Sequence, residues 1–269
     1  MRYFIHIGYN GLNYRGWQHQ RGVVCIQDVI QDRVRKLLKR EVNCLGCGRT
    51  DAMVHASQYF FHMDNPNPLD DEFKFRLNKI LPDDIAVFDV IPMDGFPHAQ
   101  LDAIGRTYDY FIHIYKDPFL SGFSAFYMEP DLDLSSMKRA AELLLKYNDF
   151  SSFCKSPEKN KSNICSISSA RLYTSKDGGR IRFQITADHF LKGMVRIIVR
   201  KLIDIGTKDL SIEDFENYLK LSATPKNTIP AYPQGLYLTK ITYPFLDIPP
   251  RTEHSIVFQS DTKNAWREV

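Results

Sequence analysis

The sequence predicts an α+β protein of two similar halves, each a mixed, mainly antiparallel sheet flanked by helices. Three observations predict it. Strand-like segments outnumber helical ones and hairpin signals are present, which favours antiparallel pairing over a doubly wound sheet. Helical spacing is confined to a few separate stretches. Each half reads strand, helix, strands, with a break near residue 105. The expected organisation is an N-terminal half over residues 1–105, a second half over 106–248 and a C-terminal tail over 249–269, with a cleft between the halves.

The elements follow in order. Arg2 to Tyr9 sets Tyr3, Ile5, Ile7 and Tyr9 on one face with period two, so it is a strand. Asn10-Gly11 opens a glycine-rich loop, "NGLNYRGWQHQRG". Ile26, Val29, Ile30, Val34, Leu37 and Leu38 recur at helical spacing, with acidic residues early and basic ones late, as the helix dipole favours. Strands are predicted at Val42–Gly46, Gln58–Met63 and Ile85–Ile91, with a helix start after the loop "NPNPLDD". Thr107–Tyr115 alternates again. "DLSSMKRAAELLLKY" is amphipathic, with Met137, Ala140, Ala141, Leu144 and Leu145 inward. Ser169–Thr174 and Arg180–Thr186 flank the hairpin signal "SKDGG". "FLKGMVRIIVRKLIDIG" is apolar on most sides, too long for a strand, and stopped by Gly206, so it reads as a buried helix. Ser211 with Asp214 starts another helix in a capping-box-like pattern. "GLYLTKITY" is the expected last strand, and the tail carries one further strand signal, "SIVF".

Composition bounds the function. The chain has 269 residues, 43% hydrophobic and 25% charged, which is ordinary for a globular protein and ample for a core. It has no apolar run of membrane-spanning length, and "MRYFIHIGY" lacks a signal-peptide core, so a cytoplasmic protein is expected. Five scattered cysteines argue against a disulfide framework, and "CLGC" lacks the second pair that a structural zinc site needs. A net charge of +3 is slight, so binding to nucleic acid would rest on local patches.

Several residues stand out as candidates for chemistry. Asp51 lies in "CGRTDAMVHA", where a surface aspartate in a turn is the plain reading. Arg49 precedes it by two positions, and the plain reading there is a solvated pair. Arg196 interrupts an apolar helix, and a buried arginine demands an anionic partner: a structural carboxylate, a helix C-terminus, or an active-site aspartate. Tyr108 and Tyr110 alternate along a strand, where core positions are commoner. Trp17, in its loop, either caps the sheet or grips a ligand. His55 and His98 have no partner at metal spacing and read as hydrogen-bonding histidines. The lysine loop at Lys155, Lys159 and Lys161 reads first as a solvated face.

Together these segments resemble one family. "GRTDAMVHA" resembles the "GRTDAGVHA" signature of the TruA-type tRNA pseudouridine synthases, and "YNGLNYRGWQHQ" resembles that family's "YDGxxYxGWQxQ" loop. "IQDVI", "LPDDIAV", "HAQLDAIGRTYDYFI", "DFSSF", "FLKGMVRIIV" and "GLYLTKITYP" match further segments in order, from about Arg2 to Pro244. The resemblance implies the pseudouridine synthase fold with an RNA cleft between its halves. It implies a homodimer that binds tRNA, and isomerisation of uridine to pseudouridine in the anticodon stem-loop without a cofactor or metal. It implies that Asp51 is the catalytic aspartate, Tyr108 the tyrosine against the target base, and Arg196 the basic partner of the aspartate. Arg49 corresponds to the signature arginine that holds RNA. Arg15, Trp17 and Gln18 of the loop, with Lys155, Lys159 and Lys161, are the other candidate RNA contacts.

The chain departs from the pattern at Met53 for glycine, Asn10 for an acid, Gln100 for arginine, and Lys192-Gly193 for an aromatic and a histidine. Two rival readings follow: a non-catalytic tRNA-binding relative with a spoiled pocket, and a metal-dependent hydrolase built from Asp51, His55 and His98.

Overall fold

The computed structural model describes residues 1–129, 131–221, 223, 225, 228–250 and 266–269. Among them run β1 (Arg2–Tyr9), α1 (Ile26–Leu38), β2 (Leu45–Gly46), β3 (His55–Asp64), α2 (Phe73–Ile80), β4 (Ile85–Met93), β5 (Gly105–His113) and β6 (Ala125–Phe126). Then come α3 (Leu134–Leu143), β7 (Ile167–Ser175), β8 (Arg180–Ala187), α4 (Met194–Gly206), α5 (Ile212–Leu219), β9 (Leu236–Thr242) and β10 (Trp266–Glu268). The class is α+β with mainly antiparallel pairing. The chain forms two compact units: Met1–Ile104 with Tyr237–Arg251, and Gly105–Leu236 with Thr252–Val269.

In the first unit β1 is central. It pairs antiparallel with β3 on one side and β4 on the other. β2 adds to β3, and β9 joins β3 in parallel through His55↔Tyr237 and Ala56↔Leu238. The period-two face of β1 is buried as its sequence predicts, and so is the opposite face, at Phe4 and His6. That second face is closed by aromatic packing: Phe4 lies edge-on to Tyr243 at 5.4 Å, and His6 stacks on Phe60 at 4.7 Å. The strand predicted at Val42–Gly46 shortens to Leu45–Gly46. The cause lies in α1, whose side chains take the backbone that would otherwise pair. Gln31 Oε1 accepts from Cys44 N, and Gln27 Nε2 donates to Cys44 O at 2.9 Å.

In the second unit β8 lies between β5 and β7, all antiparallel, and β10 pairs with the outer edge of β7. One sheet face buries Tyr110, Ile112, Phe183 and Ile185, and helices α3, α4 and α5 bury Met137, Ala140, Ala141, Ile197, Ile198 and Phe215. β10 overturns the expectation that "GLYLTKITY" is the last strand. Trp266 pairs opposite Ser175, and its ring lies 5.5 Å from the Arg180 guanidinium, a cation–π contact that holds the short strand. The predicted "SIVF" strand falls outside the described residues.

Three other expectations change for identifiable reasons. Leu145, expected inward, is 47% exposed, because the chain tightens into a 3₁₀ turn at Leu144–Lys146 and three residues per turn rotate it off the helical stripe. The helix read from Phe190 begins at Met194, because Gly193 sits in the left-handed region at φ 75°. Gly206 does not stop that helix but is its last residue, and Thr207 is the cap. A β-carbon on Gly206 would lie 2.7 Å from the Met137 sulfur, so glycine there lets α3 approach α4. The capping pattern behaves as predicted. Ser211 Oγ accepts from Asp214 N at 3.0 Å, and its hydroxyl donates to the Asp214 carboxylate at 2.8 Å.

Candidate active site

Asp51 is half-buried at the head of a four-residue turn closed by Val54 N donating to Asp51 O at 3.2 Å. Three ties hold that turn. In front, Tyr9 Oη and Thr50 Oγ1 lie 2.9 Å apart in the buried interior. At the crest, Met53 N donates to Tyr14 O at 3.0 Å. Behind, Gly11 N donates to His55 Nδ1 at 3.1 Å. The loop that begins at Asn10 therefore lies directly on the Asp51 turn, and two glycines make this close approach feasible. A β-carbon on Gly11 would collide with the Val54 carbonyl, and one on Gly16, whose φ is +88°, with that of Thr50.

The rest of the loop is fixed to the sheet and to α1. Trp17 takes the sheet-capping role. It is 1% exposed and stacks on Tyr59 at 4.3 Å, so its ring offers no face to a nucleobase. Gln18 Nε2 donates to Gln27 Oε1, which also accepts from His19 N. Gln27 therefore ties loop, helix and the Cys44 backbone together. Tyr14 Oη donates to Asp84 at 2.5 Å, and burial together with that carboxylate pushes the phenol up. Gln27 and Tyr14 were not among the sequence candidates. The sign for each was its place in a segment matched to the family, Tyr14 in "YNGLNYRGWQHQ" and Gln27 in "IQDVI". Arg15 and Arg49 are exposed.

The other candidates belong to the second unit. Tyr108 is half-buried on β5, with its ring edge-on to Phe190 at 5.2 Å. Arg196 is also half-buried. Its Nε donates to Ala231 O at 2.7 Å, and Ala231 N donates to Arg196 O at 2.9 Å, so α4 holds the chain at Ala231 by a two-way clasp. Next to it, Tyr110 Oη donates to Tyr232 O at 2.7 Å. Lys155, Lys159 and Lys161 are exposed, and Lys155 N donates to Lys192 O at 3.2 Å, which lays its segment against the start of α4. A β-carbon on Gly193 would press on the Lys155 aliphatic chain at 3.1 Å.

The metal-hydrolase rival loses its ligands. His55 Nδ1 accepts from Gly11 N, and His98 Nδ1 accepts from Gln100 N at 3.1 Å, so both lone pairs serve the backbone. Among the described residues no three His, Cys, Asp or Glu side chains are grouped to hold a metal ion.

Comparison with known proteins decides the lineage. A family described as tRNA pseudouridine synthase matches residues 140–244. The tRNA pseudouridine synthase A of Porphyromonas gingivalis is 39% identical over 246 residues, covering 90% of this chain and 97% of that protein. The one from Azobacteroides pseudotrichonymphae is 42% identical with the same coverage, and the one from Staphylococcus aureus strain MRSA252 is 34% identical, covering 90% and 91%. The chain belongs to this family.

Against the family pattern, the departures at Asn10 and Met53 have local readings. Asn10 Oδ1 accepts from Leu12 N at 3.1 Å, so the amide does the turn-capping that an acid would do. Gln100 is exposed. Met53 has φ 63°, so the family's glycine position is a left-handed one and methionine adopts it under strain. Met53→Gly is expected to stabilise the fold slightly. Relief of about 1 kcal/mol outweighs about 0.5 kcal/mol of added chain entropy. Urea unfolding checks this, and a loss of stability would mean that the methionine side chain contributes packing worth more than its strain.

Proposed function

We propose that this protein isomerises uridine to pseudouridine in the anticodon stem-loop of tRNA, with Asp51 as the reacting group. The observation that carries the proposal is a family-signature aspartate on a turn held from three sides. The bond from ribose C1′ to uracil N1 breaks, the base turns, C1′ joins C5, and the C5 proton is lost as N1 gains one. Atoms and electrons balance without a cofactor. Asp51 acts as an ionised carboxylate, either as nucleophile at C1′ or as base at C2′. The target base is stacked in a stem-loop and must be flipped out, at a cost of a few kcal/mol. Tyr108 brackets the flipped uracil, and Arg196 supplies the positive charge that aims the Asp51 carboxylate.

The exposed cations Arg15, Arg49, Lys155, Lys159 and Lys161 hold phosphates, which position the RNA rather than read its sequence. Gln18 and Trp17 contribute by fixing the loop that presents Arg15. The charge of a single subunit is small, so we place tRNA on a homodimer, in the cytoplasm where tRNA is processed. Light scattering should give a mass near twice 31.2 kDa, and a monomer at micromolar concentration would count against it. No described helix is long and apolar enough to cross a membrane. The deciding experiment maps pseudouridine by carbodiimide treatment and primer extension in tRNA from cells with and without the protein. Identical maps would overturn the activity, and a missing signal outside the anticodon stem-loop would overturn the position.

A further inference from the structure

We propose that His55 is a positioning residue for Asp51, acting through the acceptor on its Nδ1 rather than through contact with RNA. The inference rests on the catalytic role proposed for Asp51. His55 is 1% exposed, at the first position of β3, four residues beyond Asp51. Its Nδ1 accepts the Gly11 amide, which places the ring proton on Nε2. The same ring stacks on Tyr237 at 4.5 Å, opposite it in the β3–β9 pair. The imidazole therefore has two separable jobs. The ring face packs the strand pair, and one nitrogen ties the base of the Asn10 loop to the far end of the Asp51 turn.

The second job bears on the reaction. Gly11 is pressed against the Val54 carbonyl, and the same turn is gripped at Thr50 and Met53. With the Gly11 tie removed, the turn loses its hold at the end nearest β3, and that end can shift. A carboxylate that attacks one carbon of a flipped nucleotide tolerates little displacement, because about 1 Å of misplacement costs on the order of a hundredfold in rate. Affinity for tRNA comes from phosphate contacts elsewhere and does not depend on this tie.

Two variants separate the jobs. His55→Phe keeps a ring for Tyr237 and removes the acceptor. His55→Asn removes the ring and keeps an acceptor close to the place of Nδ1. Single-turnover formation of pseudouridine in a tRNA transcript should fall at least about tenfold in His55→Phe, with tRNA affinity within about twofold of wild type. In His55→Asn it should stay within about threefold, although the melting temperature drops with the lost stacking. Wild-type turnover in His55→Phe, or rate losses that follow melting temperature in both variants, would overturn the proposal. If neither variant folds, the wild-type chain still decides the matter. Its imidazole ¹⁵N shifts should show Nε2 protonated and Nδ1 accepting, with a slowly exchanging Gly11 amide, and a protonated Nδ1 would overturn the tie. Failure of the underlying reading is separate, since wild-type protein that makes no pseudouridine removes the reaction itself.

Discussion

Asp51→Asn is expected to bind tRNA and form no pseudouridine. Asparagine has the size of aspartate and keeps much of its hydrogen bonding, and three ties on this turn run through Thr50, Met53 and His55. The turn should therefore keep its shape. The amide can neither attack C1′ nor take a proton from C2′, and no other group proposed for the site is a carboxylate. Removing one negative charge near phosphates should leave affinity equal or slightly higher. Filter binding and primer extension on the same preparation test both halves. A non-catalytic binder would show no activity to lose, and pseudouridine formed by the variant at anything near the wild-type rate would remove Asp51 from the chemistry.

Much of this architecture was written in the sequence where a periodic pattern faced one environment. β1, α1, β5 and the β7–β8 hairpin appear where their spacing places them, and Asp177 and Gly178 build the turn that "SKDGG" predicts. What stayed hidden depends on contacts between distant residues. A period-two pattern marks a chemical difference between faces, so it marked Tyr3, Ile5, Ile7 and Tyr9 but not the burial of Phe4 and His6 against aromatic neighbours. The glycines of the Asn10 loop were visible as loop residues, but the carbonyls they avoid are about forty positions away. Asp109 is another case. It is almost wholly buried beside Tyr108, where Arg182 Nε donates to it at 2.7 Å and Gln184 adds a second donor. Nothing in "TYDYF" announces a buried ion pair, because both its donors lie on β8.

The candidate site was legible in a different way. Resemblance in residue type and order named Asp51, Tyr108 and Arg196 as candidates, whereas it gave no role to the residues that hold the Asp51 turn and its loop. Tyr9 read as one residue on a strand face, Gln27 stood in the matched segment "IQDVI" without a role, and His55 read as a hydrogen-bonding histidine. Each makes a bond to a residue between 9 and 44 positions away.

Arg196→Met is expected to lose turnover by two to three orders of magnitude and to lose stability as well, for two separable reasons. The stability effect is local to the second unit. Methionine has no Nε–H for the Ala231 carbonyl, and a bond from a charged donor contributes about 1.5–3 kcal/mol. The return bond from Ala231 N is made to the Arg196 backbone and survives the change, so the segment should loosen rather than detach. The rate effect rests on the proposed charge partnership. Opposite charges about 4 Å apart interact by roughly 4 kcal/mol at an effective dielectric of 20, and each 1.36 kcal/mol is about tenfold in rate. Without that charge, the Asp51 carboxylate loses the cation proposed to hold it in aim. Arg196→Lys separates the two effects. It keeps the positive charge and loses the Nε–H that donates to the Ala231 carbonyl, so it should recover part of the rate while remaining less stable than wild type. Urea unfolding and single-turnover kinetics on both variants make the comparison. If folded Arg196→Met turns over at the wild-type rate, Arg196 is a clasp for Ala231 and has no part in holding the charge of Asp51.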